Sequence, residues 1–283
     1  MLSQILSVEP KPFVKWAGGK RQLLDVIEKH LPRRFETYYE PFLGGGAVLF
    51  HILAQNPDAR CKASDLNSDL VLAYVTVRDR VDELIQSLQN HAKNYKKNPD
   101  SYYYKVREQE PKDQIEKVSR LLFLNRTCFN GLYRVNSKGK FNVPLGRYSN
   151  PNIVNEENLY AVSNILRTRK VQFSCRDFTS VLDDADRGDF VYFDPPYQPV
   201  SDTANFTSYT NRDFTYEDLQ KLVKVSENLS ERGCKVLHSN SNSPEVRALF
   251  SKDWKIVAIR ANRAINSDSS KRTGHTELLI KNY

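Results

Sequence analysis

Cysteine is scarce and scattered in this chain of 283 residues: Cys61, Cys128, Cys175 and Cys234 lie far apart, with no CxxC pair and no histidine at ligand spacing. That excludes a disulfide framework or a cysteine zinc site and predicts reduced, partly buried thiols. His30, His51, His91, His238 and His275 stand equally alone, with no cysteine or glutamate at metal or triad spacing, so no metal chemistry is expected. No serine occupies a GxSxG elbow. FVKWAGGK falls short of a phosphate loop, because its first glycine is missing and Arg21 follows Lys20, which argues against triphosphate binding. No apolar run approaches membrane-spanning length, and MLSQILSVEPK carries neither a basic leader before a long apolar core nor a cleavage pattern; a cytosolic protein without a membrane partner is expected. Internal repeats and low-complexity tracts are also absent.

A more informative absence is local. Between Glu116 and Glu156 there is no acidic residue, while Lys117, Arg120, Arg126, Arg134, Lys138, Lys140 and Arg147 all fall inside the interval. The net charge of +8 says little alone, since a modest excess is often a solvated surface. Its concentration here, interleaved with Phe129, Asn130, Tyr133, Asn136, Phe141, Asn142 and Tyr148, says more. Basic groups neutralise phosphates, and planar or amide side chains stack on bases or read their edges, so the interval has the composition of a nucleic-acid surface.

The chain is long enough for one large or two modest domains. Thr37 to Phe42 has the character of a strand, runs into Gly44, Gly45 and Gly46, and is followed by the helical pattern AVLFHIL. A second strand, ARCKAS, leads to Asp65, about 20 residues beyond the glycines, where an acid binds a ribose in dinucleotide-type folds. The glycine turn lacks the third glycine of GxGxxG, Leu49 standing there, and is weak evidence by itself. In its setting it favours a nucleoside-containing cofactor. From about Leu70 to Glu116 the pattern is helical, polar and rich in tyrosine, with no strand, and reads as an insertion. Strand signals resume at KVQFSC, DFVYFD, CKVLHS, KIVAIR and ELLIKN. Thr215 and Asp218 form a capping pattern before a helix bearing Leu219, Leu222, Val223 and Leu229. PNIVNEEN marks a boundary loop. Alternating strands and helices predict an α/β sheet with ligands at the carboxyl ends of its strands.

In VYFDPPYQP a β-branched and aromatic run ends in an acid, two prolines and a tyrosine. Proline lacks the donor for the ladder and restricts its predecessor, so the strand must stop with Asp194, the carbonyl of Pro195, Pro196 and the ring of Tyr197 together at its end. Alone, this is a strand stop with a nearby carboxylate. Beside a cofactor site it becomes a candidate reaction centre.

Taken in order, FVKWAGGK, EPFLGGGAVLF, SDLNSDL, NRTCFNGLYRVNSKGKFNVPLGRY, YFDPPYQPVSDTANFTSYT and TELLIKNY resemble the Dam-type DNA adenine methyltransferases over nearly the whole chain. The order of motifs is that of the alpha group of amino-methyltransferases. The resemblance implies a Rossmann-like methyltransferase sheet (residues 1–69 and 160–283) with an inserted, mainly helical recognition domain (70–159). It implies methyl transfer from S-adenosylmethionine to N6 of adenine in duplex DNA, usually within GATC, with the base flipped out. Asp194 and the Pro195 carbonyl would accept the amine N–H bonds, Pro196 would stiffen the turn, and Tyr197 would stack on the adenine. Trp16, Lys20, Phe42, Gly44, Gly46, Asp65, Asp177, Phe178 and Asp194 would surround the cofactor. Lys15, Phe129, Asn130, Leu132, Arg134, Pro144 and Tyr148 would contact the target sequence, Arg134 reading a guanine edge and Phe129 intercalating. Lys138, Lys140 and Arg147 fall to phosphates, and SDTANFTSYTNRDF and NRAINSDSSKR to DNA-contacting lids. Double-stranded DNA is the implied partner, no obligate protein partner is indicated, and the implied location is a bacterial cytoplasm, on the nucleoid. Two other readings share the motifs: an RNA guanine-N2 methyltransferase, and a catalytically silent DNA-binding protein.

Overall fold

The computed structural model describes residues 8–197, 214–250, 252–261 and 275–283. Its centre is a seven-stranded sheet of β1 (Thr37–Glu40), β2 (Arg60–Ser64), β3 (Lys170–Ser174), β4 (Phe190–Phe193), β5 (Lys235–Ser241), β6 (Lys255–Ala261) and β7 (His275–Lys281). The order is β3-β2-β1-β4-β5-β7-β6, parallel except for β7, which runs antiparallel between β5 and β6. The chain builds outward from β1 to β2 and β3, then returns to the other side of β1 with β4. The order therefore reverses between β1 and β4, whose registers include Tyr38 opposite Phe190 and Tyr39 opposite Val191. Crevices at such reversals, outside the carboxyl ends of the strands, are where open α/β sheets bind ligands.

Strands β1, β4, β5 and β7 bury both faces, as strands inside a sheet covered on both sides do, whereas β2, β3 and β6 keep exposed or half-buried positions. One face carries Tyr38, Cys61, Ala63, Tyr192, Leu237 and Leu279 into a core shared with α1 (Leu24–Glu28), α2 (Ala47–Gln55), α3 (Ser68–Asp79), α4 (Val81–Lys97), α5 (Pro99–Arg107), α6 (Gln114–Thr127) and α7 (Glu156–Thr168). The other carries Tyr39, Val191, Phe193, Val236, Leu278 and Ile280 against α8 (Val181–Asp184), α9 (Tyr216–Glu231) and α10 (Pro244–Leu249). Local chemistry sets the helix starts: Asn67 caps α3 through the Leu70 amide, Asn98 precedes Pro99 at the head of α5, and Asp113 caps α6. Thr215 and Asp218 form the reciprocal capping box expected at α9.

Some boundaries move. β1 ends at Glu40, short of Phe42, because Pro41 cannot continue the ladder. The loop expected over 151–158 ends at Asn155, whose φ of 48° sets up α7 at Glu156. Cys61, Cys128 and Cys234 are buried, whereas Cys175 is exposed. Helices α3 and α7, which contain residues 70 and 160, both pack on β3, and α4 to α6 extend from them within one continuous apolar core. No helix among the described residues is long and apolar enough to cross a membrane.

Candidate active site

At the end of β1 the chain turns through Gly44 and Gly46, with φ of 48° and 67°, in the left-handed region where a side chain is strained. A Cβ on Gly46 would stand 2.5 Å from the Tyr74 hydroxyl, and one on Gly44 would stand 3.0 Å from Trp16 Cδ1. The same tyrosine donates to the Gly44 carbonyl at 3.1 Å. Asp65, at the end of the neighbouring β2, braces the turn: Oδ2 accepts the Gly44 amide at 3.0 Å and Oδ1 the Asn67 amide at 2.9 Å. Burial raises the Asp65 pKa, and those amide bonds oppose the rise. At the end of β3, Asp177 Oδ1 accepts from the Thr179 amide and hydroxyl at 3.0 and 2.6 Å. Phe178 is buried and stacks on Phe42 with centroids 5.4 Å apart, and Phe193 and Phe214 meet the Phe42 edge. Three adjacent strand ends thus present a glycine turn, a braced carboxylate, and a second carboxylate beside an aromatic pair.

At the end of β4, Asp194 lies beside this turn. Lys20 reaches it from the N-terminal segment: its Nζ is 2.7 Å from Asp194 Oδ1, donates to the Gly18 carbonyl at 2.7 Å, and stands 4.9 Å from the centroid of the Tyr197 ring. Lys20 is 3% exposed, so this is a buried ammonium held by a carboxylate, a carbonyl and a π face. Glu277 on β7 completes the group. Its Oε2 accepts the Tyr197 hydroxyl at 2.7 Å and is 3.9 Å from Lys20 Nζ. Burial pushes the Asp194 pKa up to about 6; Lys20 pulls it down and Glu277 adds to the rise. Burial likewise holds the Tyr197 phenol well above its ordinary value, with Asp194 and Glu277 contributing. Deeper on the same face, Tyr38 donates to Glu40 at 2.7 Å, and burial lifts the Glu40 pKa to about 8 despite that bond. Glu40 is thus shifted toward its protonated form, beneath the contacts that Lys20 makes with Asp194 and Glu277.

The acid-free stretch follows α6. Phe129 is 45% exposed and Asn130 takes a φ of 54°, projecting from a short turn whose Phe129 amide donates to the Pro144 carbonyl at 2.9 Å. Beyond it, residues 134–142 fold back as a narrow hairpin: Asn142 N donates to Arg134 O, Val135 bridges Phe141, and Asn136 turns the tip. Across it the Arg134 Nε donates to Asn142 Oδ1 at 2.8 Å and Nη2 approaches the Asn142 carbonyl at 3.4 Å, orienting the guanidinium. Lys15 lies over Tyr148, its Nζ 4.5 Å from the ring centroid and 3.4 Å from the hydroxyl. Leu132 and Tyr148 are half-buried and Pro144 is exposed.

Residues 16–265 match the family model described as D12 class N6 adenine-specific DNA methyltransferase. The chain belongs to this family. It is 43% identical to the type II methyltransferase M.MjaIII of Methanocaldococcus jannaschii, over 98% of this chain and all of that protein. Identity is 40% to the type II methyltransferase M1.LlaDCHI of Lactococcus lactis subsp. cremoris, over all of this chain and 99% of that one. It is 37% to the DNA adenine methylase of Escherichia coli K12, over 95% and 94%. A D12 methyltransferase acts on adenine in DNA, so the RNA guanine reading falls, and it draws its methyl group from S-adenosylmethionine. The donor set fits that cofactor: a nucleoside with a charged amino acid tail matches a carboxylate, an aromatic pair and a side-chain-free turn on adjacent strand ends.

The N-terminal segment of this D12 methyltransferase joins the two halves of the site, a connection that motif spacing does not reveal. Asn125, buried at the end of α6, accepts the Lys15 amide at 2.7 Å and donates to the Lys15 and Gly131 carbonyls at 2.8 and 3.0 Å. Trp16 stacks on Tyr133 with centroids 5.3 Å apart, and Lys20 continues to Asp194. Asn125, Tyr74 and Glu277 carry no local signature; each has a partner at least 30 residues away in sequence. Of the expected lid segments 201–214 and 262–272, only Phe214 lies within the described residues.

Proposed function

We propose that this D12 methyltransferase methylates the adenine of GATC in duplex DNA after turning the base out of the helix, and that Asp194, Pro195 and Tyr197 hold it. The observation that carries the reading is the Asp194 to Tyr197 turn at the sheet's reversal point, one strand from the glycine turn and two from Asp65. The adenine amino group is a poor nucleophile because its lone pair is delocalised into the ring. Asp194 and the Pro195 carbonyl each accept one N–H, which directs the lone pair and stabilises the positive charge that develops on nitrogen. The Tyr197 ring supplies the stacking surface the base loses on leaving the duplex. Trp16, Lys20, Phe42, Gly44, Gly46, Asp65, Asp177 and Phe178 would hold S-adenosylmethionine, which supplies a methyl group already activated by the sulfonium.

Residues 70–159 contain the DNA-reading surface. Arg134 donates to O6 and N7 of one guanine, Phe129 wedges into the stack, and Lys15, Asn130, Leu132, Pro144 and Tyr148 frame the remaining positions. The N–H groups of Arg134 turned away from Asn142 are those available to a base edge. Such a substrate places the protein on chromosomal DNA in the cytoplasm. The test is methylation of duplexes carrying GATC or single-base variants, with the modified base identified: N6-methyladenine confined to GATC supports the reading, and equal methylation of variant sites refutes the specificity.

A further inference from the structure

Tyr197 follows β4 in residues without regular structure, yet its hydroxyl is tied to an interior strand of the sheet. Glu277 lies on β7, opposite Ser241 of β5 and Ile259 of β6, with ladder partners on both sides. It is 8% exposed, and its Oε2 accepts the Tyr197 hydroxyl at 2.7 Å. A tyrosine ring has two side-chain torsions; fixing the backbone at one end by two prolines and the hydroxyl at the other leaves its plane little freedom. We propose that Glu277 is a positioning residue, which holds the Tyr197 ring in the plane on which the flipped adenine stacks. The inference rests on the reading of Tyr197 given above and deepens it. Charge-assisted bonds of this kind are strong where water is excluded, and a carboxylate on a rigid strand is suited to orient a group on a loop.

Lys20 Nζ, 3.9 Å from Glu277 and 2.7 Å from Asp194, makes the competing account that Glu277 only balances charge. Glu277→Gln separates the two, since a carboxamide oxygen can still accept from the phenol but carries no charge. The full chain is assayed in single turnover on a GATC duplex, as wild type, Tyr197→Phe, Glu277→Gln, Glu277→Ala and the Tyr197→Phe/Glu277→Ala double variant. In parallel, emission is recorded from a duplex bearing 2-aminopurine at the target adenine, in the presence of S-adenosylhomocysteine. Glu277→Ala and Tyr197→Phe are each expected to slow methylation by roughly ten- to hundredfold, the range of a lost charge-assisted hydrogen bond. The double variant should be no slower than the slower single, Glu277→Gln should stay within about threefold of wild type, as a retained acceptor requires, and cofactor affinity should hold throughout. The 2-aminopurine emission of Glu277→Ala should exceed that of wild type, because a base without its stacking partner is less quenched. Multiplying effects in the double variant, a Glu277→Gln as slow as Glu277→Ala, or an unchanged Glu277→Ala overturns the proposal. Wild-type enzyme that methylates without raising emission at all removes the flipping reading, and this inference with it; normal wild-type emission that no Glu277 variant changes removes this inference alone.

Discussion

In the proposed reaction Asp194 accepts the amine N–H and stabilises the developing positive charge best as a carboxylate, and burial pushes its pKa up to about 6, near working pH. Methylation should therefore rise with pH through about 6 in kcat/KM, which reports the free enzyme. Lys20→Met removes the cation that pulls this value down and should move the acid limb upward, whereas Glu277→Gln removes a like charge and should move it downward. The sign for stability is opposite to that of a salt-bridged surface acid. The folded-state value lies above the ordinary 3.8, so the fold binds this proton more tightly than the unfolded chain and Asp194 contributes a loss of stability as pH rises from about 4 through about 6. Asp194→Ala should leave cofactor binding measurable by calorimetry and reduce methyl transfer by ~10²- to 10³-fold, as loss of a preorganised acceptor does. The pattern of acid, prolines and tyrosine was legible because strand termination is a local matter. Glu277 was not, because its partner lies 80 residues away and only the β5–β7–β6 pairing brings the two together.

At the level of elements, the β1 turn and the hairpin each depend on a few positions. Gly46→Ala places a Cβ at positive φ, 2.5 Å from the Tyr74 hydroxyl that also holds the Gly44 carbonyl. It should cost more than ~1 kcal/mol, as substitution at an incompatible φ does, and weaken cofactor binding; thermal unfolding with and without S-adenosylmethionine reads both effects. In the hairpin, Arg134→Ala should lower discrimination at one guanine by ~1 to 3 kcal/mol while sparing binding to unrelated duplexes. Asn142→Ala should do the same more weakly, since it frees the guanidinium without removing it. Strands and helices followed from hydrophobic period, and the α9 capping box from Thr215 and Asp218. The hairpin did not, because its two bridged residues, Val135 and Phe141, flank a polar tip with no alternation to mark a strand.

Over the whole molecule, the β3-β2-β1-β4-β5-β7-β6 order brings the glycine turn and Asp194 to one crevice, and the segment from Phe13 to Lys20 ties that crevice to the acid-free stretch, the proposed recognition surface, through Asn125. Alternating strands and helices predicted such a sheet. Its antiparallel β7 could not be read, because strand direction leaves no mark on a short apolar run. The charge asymmetry acts at this scale too. Lys138 and Arg147 are exposed in the stretch whose sequence has no acid, and changing both to glutamine should reduce the slope of log affinity against log salt by about 2 without changing the ranking of sequences. The turn from Asp194 to Tyr197 is proposed to hold the adenine whose N6 is methylated in duplex DNA. The most direct test is labelled methyl transfer from S-adenosylmethionine to a GATC duplex by wild type and Asp194→Ala, with the labelled base identified. Label on adenine N6 with wild type, and near-background label with a variant that still binds cofactor, is the predicted result; comparable labelling by Asp194→Ala would contradict it.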